Sequence, residues 1–482
     1  MRGRIRWARF SIPHEVLTMD GTVASLAEAV RTKRVSPVEL VRDCLARIER
    51  RNPALRAFIT VDADGALATA RALEAEAVGG RLRGPLHGVP VAHKDLCVVP
   101  GLPTSCGTRT LDYFHSDVPC TAAARLAAAG AILLGKLNMT ELAMGPFGDN
   151  AHHGDVQNPW RAGHASGGSS SGSAAAVAAG LVAGAIGSDT GGSIRLPAAC
   201  CGVVGLKPTY GRVSRAGVMP LSWTMDHIGP LAATVTDAAL LFSLMAGHDA
   251  ADPTSSPRPL DDVVGVLEGP VAGLRAAVPE AHFFDELSGD VEAAVRAAIG
   301  VLEKLGVRVG RATLPDLTSL TRECSTPIVA AEAATAHGRL LRERRDEVQP
   351  VVYARAAVGF SVSAVQYLEA QRLRERFAQE FAAAAFADAD VLLMPTIPEP
   401  APAYALAKAG SVEEIVARMG RFSRLTRPLN AAAVPALSVP CGFSADGRPL
   451  ALQIVGRAFD EATVLRVGRA YERATDWRRP PP

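Results

Sequence analysis

The chain has 482 residues, of which 48% are hydrophobic and 21% charged. That is enough apolar material for a large buried core, and it excludes a disordered tail, a fibre and a disulfide-stapled miniprotein. Basic and acidic residues number 51 and 49, giving a formal net charge of +2 and no electrostatic footprint for nucleic acid.

In chain order, Arg2, Arg4, Arg6 and Arg9 precede Pro13 without an apolar stretch. Residues 1–20 therefore read as a basic leader, not a secretory signal, with Met19 as an alternative start. Ser25 with Glu28, and Ser36-Pro37 with Glu39, have the form of capping boxes that open two helices. The second helix carries an apolar stripe of Leu40, Val41, Cys44, Leu45 and Ile48. Apolar runs at 89–92 and 131–134, with a helical stretch around 121–129 between them, predict alternating strand and helix, and hence a mainly parallel sheet covered on both faces. The longest apolar run, 174–187, falls short of the roughly 18 residues of a membrane span and reads as a buried core segment of small residues. Residues 250–259, rich in Pro, Ser and Asp, predict a surface connector.

Beyond it, a run at 274–278, a stripe of Val291, Val295, Ala298, Leu302 and Leu305 ending at Gly306, and a run at 307–309 predict a strand–helix–strand unit. A long helix over about 362–387 leads to a buried strand at 391–394. Residues 436–439 and 450–455 then predict a late strand pair joined across Asp446 and Gly447. Sheet-forming material runs to the end of the chain, which argues for one large domain over 21–482.

The eight cysteines form no C-x-x-C pair, and His152 and His153 are not part of an H-x-x-x-H pair in a helical context. Reduced, buried thiols of a cytoplasmic protein are expected, with no metal and no cofactor.

The chemistry-bearing stretch is Gly167-Gly168-Ser169-Ser170-Ser171-Gly172-Ser173. Such composition usually marks a flexible linker, but here it runs straight into an Ala-rich helix start, and a second glycine pair, Gly191-Gly192, precedes Ser193. Two such turns around one buried segment bring backbones close and aim hydroxyls into a shared space. A phosphate-binding loop is disfavoured because Ser173 stands where lysine is needed. The G-x-S-x-G pattern centred on Ser170 lacks the buried strand that a nucleophile elbow must follow. A serine nucleophile with a second hydroxyl and a lysine base remains, and Lys94 supplies the lysine at the end of an apolar run. Only six of the 51 basic residues are lysines. A buried lysine, unlike arginine, can lose its proton near neutral pH.

Residues 88–95, 167–173 and 187–195, continued by 205–212 and 226–230, resemble the motifs of the amidase signature family, and the resemblance extends over about 25–471. It implies a single α/β/α domain with a large twisted mixed sheet and hydrolysis of an amide or related bond. By the same resemblance Ser193 is the acylated nucleophile, Ser169 the bridging serine beside a cis peptide, and Lys94 the base. The N–H groups of Thr190, Gly191, Gly192 and Ser193 form the oxyanion hole. Ser166 and Ser171 depart from the family's usual proline and glycine. Asp189 and Arg195 are expected to form a structural ion pair, and Met144, Gly168, Phe147 and Trp223 to line the substrate pocket.

Within the family, the alternative is the glutaminase subunit of a tRNA-dependent amidotransferase, which works with partner subunits and holds its substrate's amino group with an acid. Ser423 stands at that place, in a stretch with no acid. The expectation is therefore a stand-alone hydrolase, monomer or homodimer, acting on an uncharged amide, anilide or carbamate and binding neither nucleic acid nor membrane. Arg421, Arg424 and Arg427 qualify this, since one of them can meet a substrate carboxylate. An esterase using the same serine and a non-catalytic binding protein are further alternatives. The second is disfavoured because Lys94, Ser169 and Ser193 are all present.

Overall fold

The computed structural model describes residues 21–477 and 479–482, so the basic leader expected over 1–20 lies outside the described residues. Thirteen strands are formed among the described residues: β1 Phe58–Val61, β2 Pro90–Lys94, β3 Ile132–Leu137, β4 Gln157–Asn158, β5 Arg161–Ala165, β6 Gly184–Asp189, β7 Val204–Lys207, β8 His227–Ala232, β9 Arg275–Val278, β10 Arg308–Arg311, β11 Val391–Pro395, β12 Ala436–Phe443 and β13 Pro449–Gly456. Eleven of them make one continuous sheet in the order β1-β3-β2-β6-β8-β7-β12-β13-β11-β9-β10, while β4 and β5 pair separately.

The sheet is mixed. Parallel pairing joins β2 to β3 and β6, and β9 to β10 and β11; the other six junctions are antiparallel. This corrects the mainly parallel expectation. Buried strands of either kind read as continuous apolar runs, so burial carries no information on direction. The strand–helix–strand unit stands as expected, with β9, the helix Gly289–Lys304 and β10 in parallel register, and so does the late antiparallel pair β12 and β13.

Side chains alternate across each strand, and successive residues enter different cores. Val91 and Ile186 join a cluster with the helices Thr121–Ala128, Val235–Met245 and Gly289–Lys304. Ala92 and Ala185 join another with the helices Pro37–Leu55, Ala63–Val78 and Ser171–Ala178. Helices therefore cover both faces. The helix Pro37–Leu55 opens on the predicted capping box, with Ser36 Oγ accepting from Glu39 N at 3.2 Å and Glu39 Oε2 from Ser36 N at 2.9 Å. The first box is not formed as expected: Thr22 caps the helix Val23–Arg31, and Glu28 pairs with Arg31 instead.

The segment expected as one buried run at 174–187 divides into the end of the helix Ser171–Ala178, a turn, and β6. Gly172 allows that helix to sit against the chain beside β1 and β3, since a Cβ there would lie 2.3 Å from the Ala57 carbonyl oxygen and 2.6 Å from that of Asn138. Lys94 ends β2, and residues 190–193 follow β6, the parallel neighbour of β2. Both sites thus emerge at the carboxyl ends of adjacent strands, where sheets of this kind place ligands. Among the described residues no single helix is long and apolar enough to cross a membrane.

Candidate active site

Lys94 is fully buried, and its Nζ donates to Ser169 Oγ at 2.7 Å and to Ser188 Oγ at 2.9 Å. Among the described residues it makes no ion pair, whereas the neighbouring buried Lys136 pairs with Asp95 at 2.9 Å. Burial pushes the Lys94 pKa down to about 7, against the opposing pull of Asp189 and Asp226. A group without a counter-ion loses hydration on burial, and that disfavours its charged form.

The two glycine–serine turns meet as the sequence pattern suggested. Ser170 N donates to the Ser193 carbonyl at 3.2 Å, and the Gly168–Ser169 peptide is cis. Ser169 is fully buried, whereas Ser193 is half-buried at the edge of a cavity. Ser170 is occupied structurally: its Oγ donates to the Ser188 carbonyl at 3.1 Å and accepts from Ser188 N at 3.3 Å.

Asp189 organises the turn that presents Ser193. Its carboxylate accepts from Gly192 N at 2.7 Å, Ile194 N at 3.1 Å, the Arg195 guanidinium at 3.0 Å and Asn430 Nδ2 at 2.9 Å. Arg195 extends this buried network to the Thr426 carbonyl, Gln453 and Asn430. Burial alone raises the Asp189 pKa, but Arg195, Lys207 and Asn430 more than offset it and hold the carboxyl below its ordinary range. The expected ion pair of Asp189 and Arg195 is therefore present, at zero exposure for both side chains. Removing one partner strands the other charge, so Asp189→Ala is expected to cost about 3–5 kcal/mol in urea unfolding; a loss under 1 kcal/mol would contradict this account.

One member of the expected oxyanion hole is corrected. The Gly192 N–H is spent on Asp189 and cannot also receive an oxyanion. The N–H groups of Thr190, Gly191 and Ser193 have no acceptor among the described residues. Gly192 serves shape instead: its φ is +129°, and a Cβ there would stand 2.2 Å from Thr426 Oγ1, which itself donates to the Gly191 carbonyl at 2.7 Å.

A cavity of about 250 Å³ opens over Ser193, with Met144, Gly168, Thr190 and Gly191 in its wall. Met144 and Gly168 are thus where the sequence reading put them. Phe147 is not: it is buried against the Phe422 ring, with centroids 5.3 Å apart, and belongs to the core. Trp223 borders a different cavity of about 400 Å³, which reaches Ser188 and Asp226. Val416 and Gly420 of the helix Val412–Phe422 also reach the first cavity. Its remaining wall is apolar except for hydroxyls and two arginines, Arg355 and Arg427, which argues against the expected uncharged substrate. Ser423 also lines it, and among the described residues no Asp or Glu does. Arg424 turns away to the carbonyls of His282 and Asp285.

Sequence reasoning missed three residues. Asp226 accepts from Thr190 Oγ1 at 2.5 Å and from the N–H groups of Leu221 and Ser222 at 2.9 Å, tying the Ser193 turn to the loop that follows. Buried Glu332 holds the same loop through Ser222 Oγ at 2.6 Å and Thr224 Oγ1 at 2.8 Å. Arg355 donates to the Met144 carbonyl at 2.7 Å. Of the three, only Asp226 had a local signal, its place in the matched segment 226–230.

A profile described as Amidase matches residues 39–465. The A component of the glutamyl-tRNA(Gln) amidotransferase of Chloroflexus aggregans is 41% identical, over 95% of this chain and 98% of that one. Among solved structures, one described as an unexpected vestigial protein complex revealing the evolutionary origins of an s-triazine catabolic enzyme superposes with a TM-score of 0.87 at 33% identity, covering 94% of this chain and 98% of its own. Peptide amidase from Stenotrophomonas maltophilia superposes with a TM-score of 0.82 at 31% identity, covering 96% and 98%. Matched along nearly its whole length, the chain belongs to the amidase family, hydrolases of carbon–nitrogen bonds other than peptide bonds.

Proposed function

We propose that the protein hydrolyses an amide C–N bond through an acyl-enzyme on Ser193, with Ser169 and neutral Lys94 as the proton relay. The observation that carries this is the buried Lys94, without an ion-pair partner among the described residues and in contact with Ser169, its pKa down at about 7. Ser193 Oγ attacks the carbonyl carbon while its proton passes to Ser169, whose own proton passes to Lys94. The resulting oxyanion is met by the N–H groups of Thr190, Gly191 and Ser193; each preorganised donor of this kind contributes roughly 3–4 kcal/mol to the transition state. The relay then runs backwards, the C–N bond breaks, and the amine leaves with the proton. Water attacks the acyl-enzyme by the same relay, releasing a carboxylic acid and restoring Ser193.

The second reading is the glutaminase component of an amidotransferase, and the names of the relatives favour it over a stand-alone enzyme. Against it stands the lack of an acidic side chain among the described residues that line the cavity, with Ser423 present instead. Both readings share the chemistry above. A cavity wall that carries Arg355 and Arg427 does not favour restricting the substrate to an uncharged amide, anilide or carbamate.

Acid quenching during turnover of an amide panel tests the common mechanism. The peptide containing Ser193 is expected to gain the mass of the acyl group. Amine release with no adduct on that peptide contradicts the proposal. Glutamine hydrolysed fastest, or activity only with added partner proteins, selects the second reading.

A further inference from the structure

Among the described residues, the cavity over Ser193 is lined by two guanidinium groups and no carboxylate. The Arg427 guanidinium has no hydrogen-bond or ion-pair partner among the described residues, and its side chain packs beside the Ser193 turn, with Cγ 3.3 Å from where a Cβ on Gly191 would stand. Arg355 reaches the cavity from the helix Pro350–Ala357, tethered through the Met144 carbonyl and a 4.0 Å contact with Met419 Sδ. The acid acting on Arg355 is Asp149, buried and outside the cavity, which forms no ion pair with it. Two like charges in a largely apolar enclosure are unfavourable unless an anion joins them, and a planar carboxylate fits the guanidinium fork. An ammonium in the same space would face two cations and no acceptor of charge.

From this we infer that the substrate is an amide that also carries a carboxylate and lacks an amino group, the acid being held by Arg427 with Arg355 beside it. The inference rests on the hydrolytic reading above and names its substrate class. Burial and then the charge of Arg355 push the Arg427 pKa down to about 10, so it remains a cation at neutral pH and the pair still awaits a counter-ion. Hydrolysis of such a substrate yields a dicarboxylate and an amine or ammonia.

The test uses the ω-amides of malonate, succinate, glutarate and adipate, each beside the amide of equal length without the carboxylate, and glutamine as the glutarate amide with an added ammonium. For the best chain length, kcat/KM is expected to favour the acid-bearing amide at least 100-fold over its neutral match. The glutarate amide should exceed glutamine at least tenfold. In Arg427→Met the acid-to-neutral ratio should fall below 10, mainly through KM, with Arg427→Lys between; thermal melting confirms that each variant is folded. A neutral amide equal to its acid-bearing match, or a ratio unchanged in Arg427→Met, overturns the inference while leaving the catalytic reading intact. If no amide is turned over, the catalytic reading fails instead. Calorimetry with the four dicarboxylates then decides the carboxylate site: one should bind the wild type at least tenfold more tightly than Arg427→Met, and equal binding overturns the inference.

Discussion

Ser193→Ala is expected to lower kcat by roughly 10⁴ to 10⁶-fold while leaving the fold intact, because in the proposed mechanism the acyl bond forms on the oxygen that the substitution removes. Ser193 is the hydroxyl that combines partial exposure with neighbouring unoccupied N–H donors. Ser169 and Ser170 are buried and already hydrogen-bonded. A fluorophosphonate should therefore label the wild type at Ser193 alone and leave the variant unlabelled. Label on Ser170, with Ser193→Ala still turning over, would transfer the nucleophile to the other serine and discard the relay.

Lys94→Arg is the second large effect. The substitution keeps the charge and the donors but not the ability to be neutral, so it should cost at least about 10³-fold in kcat/KM. In the wild type, kcat/KM should rise about tenfold per pH unit up to about pH 7 and then level off, since the relay needs the free amine, which forms as the pH rises through the lowered Lys94 pKa. Asp226, raised to about 6 by burial, loses its proton on the same approach, and this firms its hold on Thr190 in the same direction. A rate that falls as the pH is raised from 6 to 8, or an active Lys94→Arg, would mean that lysine is not the base.

How far these sites were legible follows from where the information lies along the chain. Ser169 and Ser193 sit in short glycine-rich stretches whose composition makes sense only if backbones approach closely, and Lys94 ends an apolar run in a chain poor in lysine, so local patterns singled out all three while the family resemblance implied their roles. The use of the Gly192 N–H could not be read that way, because it depends on which way the Asp189 carboxylate turns. Phe147 and Trp223 failed for a related reason: an aromatic side chain looks the same in sequence whether it packs against Phe422 or lines a ligand space. Arg355 lies in a helix with no motif and enters the cavity 162 positions beyond Ser193. The apolar runs located most strands, yet the antiparallel junctions of β8 with β6 and β7 depend on long-range order that no single run contains.

The buried network around Asp189 gives the chain a temporal order as well as a spatial one. Lys94, Ser169 and Ser193 have all left the ribosome before the halfway point of synthesis, but the groups that brace the Ser193 turn, Thr426, Asn430 and Gln453, come from the last fifth. A nascent chain ending short of them carries the three side chains of the proposed relay with no frame to aim them. Contacts this distant in sequence are the slow ones to close. Competence for hydrolysis is therefore expected only once β12 and β13 have joined the sheet, so a chain truncated before Thr426 should be inactive although it carries all three side chains.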